Sequence, residues 1–120
     1  MTHIITQLHV QIDSTKKTDV HLFAHADTHT GPVAMLVLGL DEDEHAGWVS
    51  RVFVHPDYRR QGAAKELLEW AFTICRERGK GFVSLAVSKE NEGAQLLYKS
   101  LGFAPFMQGQ EGYEQYLKTL

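Results

Sequence analysis

The chain of 120 residues carries 12 Lys and Arg against 15 Asp and Glu, a net charge of -3, with 43% hydrophobic and 22% charged residues. These proportions predict one soluble globular domain, residues 1–120, and the acid excess argues against a nucleic-acid partner, whose phosphates need a basic face. A lone Cys75, the lack of a leader-like N-terminus and a longest apolar run of only 32–40 set the expectation of a cytoplasmic domain without membrane contact.

Residues 4–12 alternate, with Ile4, Leu8, Val10 and Ile12 on one face, and predict a half-buried strand. A polar turn, 13–19, leads to a second strand at 20–26. After a break at 28–32, a third strand at 33–40 is apolar on both faces. An acidic turn, 41–45, precedes a fourth strand at 48–54. Connections this short predict an antiparallel meander. The period then changes. Ala64, Leu67, Leu68, Ala71, Phe72 and Cys75 fall at helical spacing within 62–78, and Gly79 and Gly81 end that helix. A fifth strand at 82–88 completes a strand–helix–strand unit, which makes strands four and five parallel through a right-handed crossover. Asn91 caps a second helix that stops at Gly102, and 104–107 with 113–120 close the chain as a hairpin. The fold class is α/β (α+β), with a mixed, mostly antiparallel sheet and two main helices.

Between strand four and the first helix stands Arg59-Arg60-Gln61-Gly62-Ala63-Ala64. A basic, small-residue turn that opens a helix is an anion site. The first helical amides lack intrahelical partners and point outward, and the helix dipole adds positive charge there. Further on, Asn91, Ala94, Tyr98, Gly102 and Phe103 form a spaced pattern across the second helix.

Together the two segments resemble the GCN5-related N-acetyltransferase (GNAT) superfamily. Its Arg/Gln-x-x-Gly-x-Gly/Ala signature is met by Arg59, Gly62 and Ala64, and its Asn-x-x-Ala-x-x-x-Tyr-x-x-x-Gly-Phe pattern by the second set. The resemblance implies an acetyl-CoA-dependent N-acetyltransferase acting on a primary amine by direct attack. Acetyl-CoA would lie where strands four and five splay apart. Its pantetheine arm would pair with the backbone at Val52 and Val54, and its phosphates would meet the amides of Arg60, Gln61, Gly62, Ala63 and Ala64, with side-chain charge from Arg59 or Arg60. Tyr98 would protonate the departing CoA sulfur. Asn91 either caps its helix or touches the pantetheine.

Two departures from the family pattern stand out. The family's first two helices, which help wall the acceptor site, have no room in 13–19, so this is a short form whose open side a second subunit or a large substrate would cover. Trp48 and Ser50 occupy strand-four positions where several family members carry a Glu or His base. Neither is a base, although Ser50 could hold a relay water toward Glu44 or His45. A homodimer is therefore one expectation, and a non-catalytic or partner-dependent acyl-CoA-binding domain is the rival reading. No metal is expected, because His25, Asp27 and His29 on an extended strand stand too far apart to share an ion. Cys75 falls on the buried helix stripe and reads as inert core.

Overall fold

The structure is a computed structural model that describes residues 4–12, 17–26 and 29–120. Four strands lead the chain: β1 (Ile4–Ile12), β2 (Lys17–Ala26), β3 (Pro32–Asp41) and β4 (Ala46–Val54). Helix α1 (Ala63–Glu77), β5 (Phe82–Ser88), α2 (Glu92–Ser100), β6 (Ala104–Gln108) and β7 (Tyr113–Thr119) follow. They build one seven-stranded sheet in the order β1-β2-β3-β4-β5-β7-β6, antiparallel except for the parallel β4–β5 pair. The element order and the parallel pair are those the sequence predicts.

Boundaries differ where backbone pairing overrides polarity. Of the turn expected at 13–19, residues 13–16 lie outside the described residues. Lys17, Thr18 and Asp19 instead pair with Asp41, Leu40 and Gly39 at the start of β2. A strand that pairs on both sides holds polar residues extended, and hydrophobic alternation does not register them.

One face of the sheet carries the core. Ala34, Leu36, Leu38 and Leu40 of β3 are buried against α1, which contributes Leu67, Leu68, Ala71, Phe72 and Cys75. Each fully buried Leu side chain contributes about 2 kcal/mol. Helix α2 joins the same side, since Tyr98 and α1's Phe72 both pack their rings on Phe103, at 5.8 and 5.7 Å. Gly47 lets β4 approach α1 closely, because a Cβ there would collide with Cys75 Sγ and press on Leu38. The opposite face is covered in part, short of the expectation for strand three: Val33 and Val37 are buried but Met35 and Gly39 are half-buried. Trp48, Phe53 and Phe82 stand there 41%, 49% and 38% exposed.

Two irregularities open the sheet. β4 pairs with β5 only from Ala46–Phe82 to Val49–Leu85, while β5 continues along β7 to Ser88–Tyr113. Within β4, Val37 faces Ser50 but Met35 faces Phe53, so Arg51 and Val52 together oppose Leu36. This is a β-bulge, and Arg51 takes φ 53 to make it. The bulge bends the second half of β4 out of register with β5 and leaves its inner edge unpaired. A wedge opens between the two strands.

Candidate functional site

The wedge runs into a turn built by short local bonds. His55 N donates to Val33 O at 2.7 Å and ties the end of β4 to β3. His55 Nδ1 then accepts from Asp57 N at 3.1 Å, starting a single 3-10 turn at Pro56–Tyr58. The rings of His29, His55 and Tyr58 pack edge-to-face around it, with centroids 4.9 to 5.7 Å apart. Arg59 folds back so that its Nε donates to Val54 O at 3.3 Å, and Gln61 Nε2 donates to Asp57 O at 3.3 Å. These two side chains brace the turn.

Arg60 (φ 63) and Gly62 (φ 83) both adopt left-handed backbone, and Gly62 is the N-cap of α1 with no side-chain cap. Glu66 N donates to Gly62 O at 2.9 Å. The preceding amides, Ala63 to Lys65, are the ones a helix leaves without partners. A Cβ at Gly62 would meet nothing within 4 Å. The glycine is demanded by its φ, and the space above it is open to an anion.

One cleft of about 540 Å³ collects nearly all the residues singled out from sequence: Val52, Val54, Arg59, Arg60, Gly62, Ala63, Ala64, Asn91 and Tyr98. Of the residues expected to touch the cofactor or give the proton, Gln61 alone does not line it. Ala94 of the second pattern lines it too, as do Phe53, Tyr58, Lys65, Gly93 and Leu97, which the sequence reading did not mark. Lys65 and Leu97 were legible only as ordinary helix residues. Val52 and Val54 stand on the unpaired part of β4, so their inner backbone edge faces the cleft rather than a strand.

Tyr98 is 7% exposed, and burial pushes its phenol above the ordinary value of 10.0. It is a neutral donor at physiological pH. Asn91 Oδ1 accepts from Ala94 N at 3.0 Å, so the capping role is present, and the residue also borders the cleft. Tyr98 and Asn91 both line a second cavity as well, of about 240 Å³, on the β4–β5 side of the wedge. Ser50, Arg51, Ser88 and Tyr113 join them there.

The expected relay is not assembled. Glu44 lines a separate hollow of about 430 Å³ with Trp48, Asp19 and Asp41, whereas Ser50 lines the cavity of Tyr98, and no described carboxylate lines that cavity. His45 is exposed and lines neither. Of the residues considered for a metal, Asp27 lies outside the described residues and His29 packs on His55 and Tyr58. Cys75 is buried in the core, and its thiol is pushed up to about 11 by desolvation.

Comparison with known proteins bears on this geometry. The model of the acetyltransferase (GNAT) family matches residues 3–103. An uncharacterized N-acetyltransferase of Methanocaldococcus jannaschii is 37% identical over 62 residues, covering 52% of this chain and 27% of its own. The [ribosomal protein bS18]-alanine N-acetyltransferase of Escherichia coli is 42% identical over 52 residues, covering 43% and 35%. The chain thus matches about a third or less of these relatives' lengths. Among solved structures, an N-acetyltransferase of Thermoplasma acidophilum in complex with coenzyme A superposes with TM-score 0.75 at 20% identity, covering 85% of this chain and 61% of that one. Nourseothricin acetyltransferase superposes with TM-score 0.77 at 17% identity, covering 99% and 88%. The structural likeness establishes the fold, and the family match spans most of the chain: it belongs to the acetyltransferase (GNAT) family.

Proposed function

We propose that this chain is an acetyl-CoA-dependent N-acetyltransferase. The observation that carries the reading is the single 540 Å³ cleft that joins the uncapped amides of α1, the unpaired edge of β4 and the Tyr98 phenol. The diphosphate of acetyl-CoA would meet the Ala63 and Ala64 amides with charge from Arg60, since Arg59 is already bonded to Val54. The pantetheine arm would pair with Val52 and Val54 as an added strand. The thioester would then lie near the bulge, where backbone amides polarise its carbonyl. The chain would hold the site as one domain, work in the cytoplasm, and need neither metal, nucleic acid nor membrane.

In the reaction, the amine nitrogen attacks the thioester carbon, a C–N bond forms and the C–S bond breaks. Tyr98 gives its proton to the leaving thiolate. The nitrogen loses a proton to solvent at the cavity mouth, and Tyr98 recovers one from the same source. The 240 Å³ cavity beside Tyr98 would take the acceptor; with no described carboxylate or histidine lining it, the amine must arrive largely deprotonated, which ties turnover to high pH. Three aromatic rings exposed on the helix-free sheet face favour a homodimer that covers them.

The test is acetyl transfer from acetyl-CoA to a panel of primary amines, followed by free thiol release and product mass. Tyr98→Phe should lower kcat about 100-fold and leave CoA affinity within about twofold, as loss of one general acid requires. Unchanged kcat in this variant returns Tyr98 to a packing role. Transfer by neither protein, with CoA bound, favours the non-catalytic reading.

A further inference from the structure

The acceptor cavity beside Tyr98 has an uneven charge. Its described lining is apolar (Val49, Val52, Leu85, Ala86, Val87, Ala94) or neutral and polar (Ser50, Ser88, Asn91, Tyr98, Tyr113), with a single charged residue, Arg51. No described carboxylate pairs with Arg51 in an ion bridge. The backbone of Arg51 is held by the bulge, while its side chain is exposed. Arg51 occupies the bulge opposite Leu36 at φ 53, a left-handed conformation that L residues other than Asn, Asp and Gly rarely adopt. A strained position at the mouth of a candidate site points to a role there.

We propose that Arg51 selects an acceptor whose amine stands beside a carboxylate, an amino-acid-type amine. The inference rests on the acetyl-transfer reading above. The guanidinium presents a planar fork that matches a carboxylate with two parallel hydrogen bonds, and it repels a second ammonium. The carboxylate held by Arg51 leaves the amine to face the thioester, and the transfer is the one already written. At about 240 Å³ the cavity is smaller than sites that hold drug-sized ligands, and it suits one small amine. The acidic hollow around Trp48 does not compete for this role. It is a different cavity, and Lys80 Nζ already donates to the carbonyls of Asp41 and Glu44 there, each at 2.6 Å.

The experiment measures kcat/KM for the proteinogenic amino acids, their amides and the diamine putrescine, in the native chain, Arg51→Gln and Arg51→Asn. Asn tolerates left-handed backbone, so the second variant keeps the bulge intact. The native chain should prefer at least one amino acid over its own amide by about tenfold or more, equal to ~1.4 kcal/mol. Both variants should collapse that ratio toward one. Amides or putrescine used as well as the acids, or a preference that survives both substitutions, overturns the assignment. Acetyl-CoA binding by calorimetry without transfer to any amino acid overturns it too, and leaves the cofactor reading standing. Failure to bind acetyl-CoA overturns the cofactor reading itself, and this inference with it.

Discussion

Single residues divide by whether their chemistry announces itself in the sequence. Gly62, Ala64, Asn91 and Tyr98 were legible because each residue type serves a need that spacing exposes: a positive φ, a low helix start, a cap, a donor on the cleft side. Arg51 was not legible. Nothing about an arginine signals positive φ, and the bulge it makes is set by cross-strand register with β3, which a sequence does not print. Cys75 was read as inert core, and the structure gives that reading a measurable consequence. Its thiol is raised from 9.0 to about 11, mainly by burial, so the folded state holds the proton more tightly than the unfolded one. Stability is therefore full below pH 9 and falls as pH rises toward 11. The buried Tyr98 phenol, raised above 10.0, adds to the same alkaline loss. Thermal unfolding followed from pH 8 to about 11 should show a falling midpoint, and a slope unchanged in Cys75→Ala would contradict the assignment of that loss to the thiol.

At the scale of elements, the change of hydrophobic period at residue 62 was enough to place α1, and its buried stripe falls where the spacing set it. The fit of that helix against the sheet was not visible in the pattern. It depends on Gly47, where β4 passes beneath Cys75 with no room for a methyl group. Gly47→Ala should destabilise the fold by about 1–3 kcal/mol, as overpacking of a filled core does. Pairing it with Cys75→Ala removes the colliding sulfur and should recover part of that loss. Chemical denaturation of the two single variants and the double variant gives the coupling directly, and strict additivity would mean the contact is relieved elsewhere. The start of β2 was missed for a related reason. Lys17 to Asp19 are polar, and it is pairing, with Gly39 to Asp41 on one side and of Thr18 and Asp19 with Ile12 and Gln11 on the other, that holds them in the sheet.

The whole molecule shows why the cofactor half of the site was readable and the acceptor half was not. In the proposed site, phosphate recognition is local, placed within one turn and the helix terminus that follows it. The proposed acceptor cavity is assembled from β4, β5, α2 and β7, whose meeting depends on where the sheet splits. The same split leaves Trp48, Phe53 and Phe82 on a face that no described helix covers. The proposed homodimer predicts a mass of about twice 13.6 kDa by light scattering at micromolar protein. A monomeric mass under those conditions would assign that face to the acceptor or to a different partner. The central claim, that the cleft from Val52 to Tyr98 holds acetyl-CoA, is tested most directly by calorimetric titration with acetyl-CoA, CoA and ATP, in the native chain and in Gly62→Glu. The account predicts micromolar binding of both CoA species, no response to ATP, and loss of binding when bulk and negative charge are placed at the start of α1. Binding that survives Gly62→Glu, or no binding of CoA by the native chain, would contradict it.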